Sequence, residues 1–138
     1  MADNTLSSLI DEAGGWISFR RFMQEALYNP EHGYYTAAVR EVGARGDFST
    51  VASLHAALGE AIAGWTLARR RELLPRGRTH LIEIGAGSGQ LAQAILRALG
   101  VRGRFSLRYH VVEISAPLRR AQRRLLGRGR VRWHDTVE

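Results

Sequence analysis

Leu81-Ile82-Glu83-Ile84-Gly85-Ala86-Gly87-Ser88-Gly89-Gln90-Leu91-Ala92 decides the fold. Leu81, Ile82 and Ile84 are apolar, as the interior strand of a parallel sheet requires. Three glycines then alternate with small residues, so the backbone can turn tightly and approach a ligand closely. A helix opening at Gly89 points its unbonded N–H groups and its positive dipole end at that ligand. A negative group is favoured there.

Downstream, the pattern repeats. Gln90 to Leu99 reads as a helix with Leu91, Ile95, Leu96 and Leu99 inward, ended by Gly100. Tyr109-His110-Val111-Val112-Glu113-Ile114 reads as a second strand. Ser115 caps a helix from Ala116 to Leu126 that tolerates Pro117 in its first turn, and Gly127 and Gly129 break it. Val131 to His134 is a third short strand. Strand, helix, strand, helix, strand with short right-handed crossovers gives an α/β fold: half of a doubly wound, Rossmann-like parallel sheet with strand order 3-2-1.

Upstream, the chain is helical. Thr5 to Ala13 is a short amphipathic helix ended by Gly14-Gly15. Ser18 is a plausible N-cap for Phe19 to Tyr28, whose stripe of Phe19, Phe22, Met23 and Leu27 is read as core. Tyr28-Asn29-Pro30-Glu31-His32-Gly33-Tyr34-Tyr35 is a turn dense in aromatics, and Ala37 to Gly46 is a loop. A long helix from Val51 to about Leu73 turns Val51, Leu54, Leu58, Ile62, Trp65 and Ala68 to one side. The division is therefore residues 1–75 as an N-terminal helical cap and residues 76–138 as the first half of a nucleotide-type domain, within one structural unit.

Composition removes several chemistries. The 138 residues contain no cysteine, which excludes disulfides and thiolate ligands. All 20 basic residues are arginine, so a P-loop lysine and a Schiff-base lysine are excluded. The five histidines show no metal-ligand spacing, and no metal site is expected. The net charge of +7 is concentrated in residues 76–138, but no nucleic-acid motif accompanies it, so a solvated Arg-rich surface is favoured over a nucleic-acid partner. No apolar run is long enough for a membrane span, and Met1-Ala2-Asp3-Asn4 resembles neither a signal nor a transit peptide. The expected location is cytoplasmic, with no membrane partner.

The spacing of the turn narrows its ligand. A dinucleotide fingerprint requires glycine where Gln90 stands, and a P-loop requires lysine. The third class is S-adenosylmethionine, whose methionine end carries a carboxylate and an ammonium. The carboxylate would sit near the N–H groups of Gly87 to Gly89, and the ammonium near Glu83, directly or through water. Glu113, 24 residues after Gly89 and at the tip of the second strand, can accept both ribose hydroxyls. Dinucleotides and S-adenosylmethionine share that contact, so the glycine spacing and Glu83 make the choice. The cofactor-binding candidates are Glu83, Gly85, Ala86, Gly87, Gly89 and Glu113; no catalytic base is assignable.

With these residues placed, the chain resembles the MidA-like S-adenosylmethionine-dependent methyltransferases over nearly its whole length. Gly15-Trp16-Ile17-Ser18-Phe19-Arg20-Arg21-Phe22-Met23 is similar to the family's opening, and Tyr28 to Tyr35 to its Y-x-P-x-x-G-Y-Y signature. Gly46-Asp47-Phe48-Ser49-Thr50 matches its G-D-F-x-T segment. Leu81 to Gly89 and Tyr109 to Ser115 match its cofactor strands. The resemblance implies that Asp47 and Thr50 lie near the cofactor, although Thr50 also reads as a helix N-cap. It implies an arginine side chain of a protein as methyl acceptor. Val51-Ala52-Ser53 and Ala57-Leu58-Gly59-Glu60 depart from the family pattern after Thr50.

Family members run to several hundred residues. These 138 are accordingly expected to bind cofactor without turning over, the alternative being a non-catalytic module that binds a protein partner. The strand at residues 80–84 is expected to present an unpaired apolar edge, favouring a dimer or strand exchange.

Overall fold

The computed structural model describes residues 5–39, 56–73, 77–127 and 129–137. Two compact units divide at Val39/Arg40. The boundary thus falls well before the expected 75/76, because the long helix packs with the sheet and its helices, Ala63 joining their core.

In the first unit, α1 spans Thr5–Glu12 and α2 spans Phe19–Tyr28. Gly14 and Gly15 take positive φ and end the α1 segment, and the Gly15 N–H donates to Ile10 O at 2.8 Å. The expected cap of α2 forms: Ser18 Oγ accepts from the Arg21 N–H at 3.3 Å. The stripe on α2 does not become core, for Phe19 is 75% exposed and Phe22 only stacks beside it with ring centroids 6.4 Å apart. The aromatic turn is held by Asn29, whose Oδ1 accepts from the N–H groups of Glu31 and His32. A π-helical turn over Tyr34–Ala38 follows, with Tyr35 stacked on Tyr28.

The second unit contains α3 (Ala56–Leu73), β1 (Thr79–Ile84), α4 (Gln90–Ser106), β2 (Leu107–Val112), α5 (Ala116–Leu126) and β3 (Val131–His134). The strands are parallel in the order β1-β2-β3, which from the other edge is 3-2-1. α4 breaks at Gly100 (φ 55°, ψ −153°), and a further turn of helix runs to Ser106. That turn moves β2 two residues upstream of its expected start at Tyr109. Glu113 consequently stands just past the end of β2 and not within it.

The core lies between the helices and one face of the sheet. Ala63 of α3, Ala92, Ile95 and Leu99 of α4, Leu126 of α5 and Leu107, Tyr109, Val111 and Val131 of the strands form one buried cluster. α3 turns a narrower stripe inward than its periodicity suggests. Gly59, Ala63 and Thr66 are buried, while Leu58, Trp65 and Ala68 are exposed. The reason is a close helix crossing: a Cβ on Gly59 would lie 2.4 Å from Ala94 Cβ. Small side chains at the crossing exclude the larger ones from it.

β1 departs from the expectation of a strand buried on both sides. Its inward residues are Thr79, Leu81 and Glu83, whereas Ile82 is 58% and Ile84 68% exposed. Among the described residues no helix covers the face that carries them. Among the described helices none is long and apolar enough to cross a membrane.

Candidate functional site: the glycine turn and its two acids

The site forms where the carboxyl ends of the strands meet the first turn of α4. Gly85, Gly87 and Gly89 all adopt positive φ (70°, 54° and 84°). The chain can therefore leave β1 and enter α4 within five residues, a path that residues with a Cβ rarely follow. Gly89 is the N-cap of α4 and offers no side chain to cap it. The first N–H groups of that helix remain open to a ligand, together with its positive dipole end. The Gly89 N–H itself is occupied, since it donates to Ala86 O at 2.8 Å. Of the expected Gly87–Gly89 span, the Gly89 N–H is therefore already taken.

Both acids of the turn come to this end of the sheet. Glu113 is 6% exposed. Its Oε1 accepts from the Ser115 N–H at 2.9 Å and its Oε2 from Gln122 Nε2 at 3.1 Å. A carboxylate has about four lone-pair positions, so two acceptor positions are left for a diol. Ser115 also caps α5, its Oγ accepting from the Leu118 N–H at 3.4 Å. One tight corner thereby orients the acid and starts the helix.

Glu83 is held from the covered side of the sheet. Tyr109 donates its hydroxyl hydrogen to Glu83 Oε2 at 2.6 Å. Burial pushes the Glu83 carboxyl above its ordinary value, the Tyr109 hydrogen bond pulls it back, and the Glu113 charge raises it further. The two acids share one neighbourhood because the chain just after Glu83 pairs with the chain just before Glu113, the Gly85 N–H donating to Val112 O at 2.9 Å. Burial and the Glu83 carboxylate also raise the Tyr109 phenol, which keeps it a donor at neutral pH.

Of the candidates, Glu83, Gly85, Ala86, Gly87, Gly89 and Glu113 are brought together in this way. Asp47 and Thr50 lie outside the described residues. Sequence reasoning overlooked Tyr109, Trp133 and, above all, Gln122. Gln122 is fully buried on α5, between Leu118 and Leu126 at four-residue steps. A polar residue at the centre of an otherwise apolar stripe was the available signal.

The histidines hold a second surprise. Parallel register aligns His80, His110 and His134 diagonally across the uncovered face, with ring nitrogens 2.8 and 2.9 Å apart. Residues 30 and 24 positions apart become neighbours through strand pairing alone. Both ring nitrogens of His110 are engaged by the other two rings. Among the described residues no group of His, Cys, Asp and Glu is arranged to hold a metal ion.

The chain is similar to several known proteins. Residues 61–138 match the model of a family of S-adenosyl-L-methionine-dependent methyltransferases. The mitochondrial protein arginine methyltransferase NDUFAF7 of Danio rerio is 33% identical over 127 residues, covering 89% of this chain and 30% of that protein. Its Drosophila melanogaster homolog, also mitochondrial, is 35% identical over 112 residues, covering 78% of this chain and 25% of that protein. A crystal structure of a Burkholderia thailandensis protein bound to S-adenosyl-homocysteine superposes with a TM-score of 0.76 at 34% identity. It is matched over 96% of this chain and 37% of its own. The chain therefore spans about a quarter to a third of the length of the curated relatives it matches. A cytoplasmic location does not stand beside these relatives, which are mitochondrial proteins. That expectation rested on four N-terminal residues and a default, and neither carries information about the compartment.

Proposed function

The chain belongs to this family of S-adenosyl-L-methionine-dependent methyltransferases, and on that premise we propose that its glycine turn binds the cofactor for methyl transfer to an arginine side chain of a protein. The observation that carries the reading is the convergence of Glu113 and Gly87 on one buried amide, beside an uncapped helix start. A diol acceptor and a carboxylate site adjoin there, as the ribose and methionine ends of this cofactor require. The residues present fit the group.

S-adenosylmethionine supplies a sulfonium methyl when bound. Glu113 would accept the two ribose hydroxyls through the lone pairs that Ser115 and Gln122 leave open. The opening turn of α4 would face the methionine carboxylate. Glu83, at the end of β1, would face the ammonium, and Tyr109 would keep the carboxylate from turning away. Asp47 and Thr50 are assigned to the cofactor's surroundings on the family resemblance. In the reaction the acceptor nitrogen attacks the methyl carbon in line as the carbon–sulfur bond breaks, and the nitrogen then loses a proton to solvent or a base. Alignment of the acceptor supplies most of the rate in such displacements. An arginine acceptor is supported by the description of the relatives as protein arginine methyltransferases.

The outer edge of β1 pairs with no strand among the described residues. A second copy of the chain would pair there, and light scattering at high concentration should show dimers; a monomer across the range would overturn this.

Calorimetry with S-adenosylmethionine and S-adenosylhomocysteine tests the central reading. Wild type should bind both. Glu113→Ala should lose about a hundredfold in affinity, since two hydrogen bonds to a charged acceptor disappear. No binding by folded wild type would sink the proposal. Binding without transfer of a labelled methyl group to protein would leave the cofactor reading standing and would fit either a cofactor-binding part of a longer enzyme or a non-catalytic module.

A further inference from the structure

Gln122 is a tightly constrained polar side chain of the second unit. It has no solvent exposure, and three partners from three separate segments engage both ends of its amide. Nε2 donates to Gly87 O at 2.9 Å and to Glu113 Oε2 at 3.1 Å. Oε1 accepts from the Trp133 indole N–H at 3.0 Å. The orientation of the amide follows from chemistry alone. An indole N–H can only donate, while a peptide oxygen and an ionised carboxylate can only accept. A single residue type meets these demands, for glutamate would lack the two donors and leucine all three contacts.

The packing is as specific as the hydrogen bonding. A Cβ on Gly89 would approach Gln122 Cγ to 3.3 Å, at a residue already in the left-handed region. Gly89 is thus small for Gln122 as well as for the turn. Trp133 is itself placed by its strand and by Arg123, whose guanidinium lies 5.3 Å from the indole centroid. β3 reaches the glycine turn through this chain of contacts.

We propose that Gln122 is the positioning residue of the site: it sets the direction of the Glu113 carboxylate and the height of the Gly87 carbonyl, and so determines selectivity for a ribose diol. The inference rests on the reading of Glu113 as the ribose acceptor. Ser115 N–H and Gln122 Nε2 each hold one carboxylate oxygen, so together they fix the plane of the group. Without Gln122 the carboxylate pivots about the Ser115 contact, and its remaining lone pairs no longer face two adjacent hydroxyls.

Selectivity is the readout that a merely structural role would not move. The probes are S-adenosylhomocysteine and its 2′,3′-dideoxy analogue, measured by calorimetry on the chain. Wild type should prefer the diol about a hundredfold. Gln122→Met, similar in volume but without the amide, should shrink that preference about tenfold. In a Glu113→Ala background the same substitution should leave the ratio unchanged, because its effect passes through Glu113. If Gln122→Met weakens both ligands equally, Gln122 only supports the fold and the inference is overturned. If wild type binds both ligands alike, the ribose reading of Glu113 fails and this inference with it; if it binds neither, the cofactor assignment fails as a whole. Should Gln122→Met not fold by circular dichroism, Trp133→Phe removes only the anchor of Oε1. It should lower the ratio about threefold, and an unchanged ratio would again overturn the proposal.

Discussion

The two faces of the sheet are made from alternate residues of the same three strands, and they have opposite characters. One face carries Leu81, Glu83, Tyr109, Val111 and Trp133 under α3, α4 and α5. The other carries His80, Ile82, Ile84, His110 and His134 with no helix over it among the described residues. Both crossovers of a right-handed β-α-β-α-β unit pass on the same side, so the topology itself assigns the difference. Strand residues with nearly identical propensities thus acquire different duties. The covered face places polar groups where water is scarce: Tyr109 is matched with Glu83, and Gln122 of α5 with Glu113, while the buried Thr79 hydroxyl has no hydrogen-bond partner. On the uncovered face the polar groups meet one another as a row of imidazoles.

The sharpest way to break this comparison is at Tyr109, the largest fully buried side chain among the described residues. Tyr109→Ala should destabilise the chain by about 3–5 kcal/mol in urea unfolding, as large aromatic truncations in cores do. A milder change isolates the polar contact. Tyr109→Phe keeps the packing but leaves Glu83 a buried carboxylate without its donor, and should cost about 1–2 kcal/mol. Ile84→Gln, on the other face, should change stability by less than about 0.5 kcal/mol, because the side chain is already wet. An Ile84→Gln loss comparable to that of Tyr109→Ala would show that the two faces do not differ as described.

The smallest effect concerns pH. Partial burial, and then the charges of His80, His134, Arg132 and Arg108, lower the His110 imidazole below its ordinary 6.5. The unfolded chain therefore takes up a proton that the folded chain still refuses. Stability from this group is complete above about pH 6.5 and declines as pH falls toward the lowered folded value. Wild type should lose melting temperature more steeply than His110→Gln between about pH 7 and pH 5. Equal slopes would remove the imidazole row as a titrating unit.

Much of the fold was legible because its signals are local. Ser18 and Ser115 mark helix starts, Gly100 breaks α4, and the third strand spans Val131–His134 as its pattern suggests. What escaped depends on contacts between elements. The extra turn after Gly100 lacks the apolar spacing of a helix and so displaced β2. Gly59 turns α3 by its fit against Ala94, which no periodicity reveals. The proximity of the candidate acids and glycines was legible because Glu83 and the glycines follow one another along a strand and turn, with Glu113 at the same end of the neighbouring strand. Gln122, Tyr109 and Trp133 reach the same place from other elements, and only the register of the strands shows where their side chains end.

Two hydrogen bonds outside the regular ladder carry a last consequence. The Gly85 N–H donates to Val112 O at 2.9 Å, and the Glu113 N–H donates to His134 O at 3.0 Å. Each strand's pairing thus continues one step into the loop that follows it. Such amides exchange their hydrogens only when the sheet itself opens, and not through loop fraying. The backbone at Gly85 and Glu113 is therefore tied into the sheet and shares its persistence.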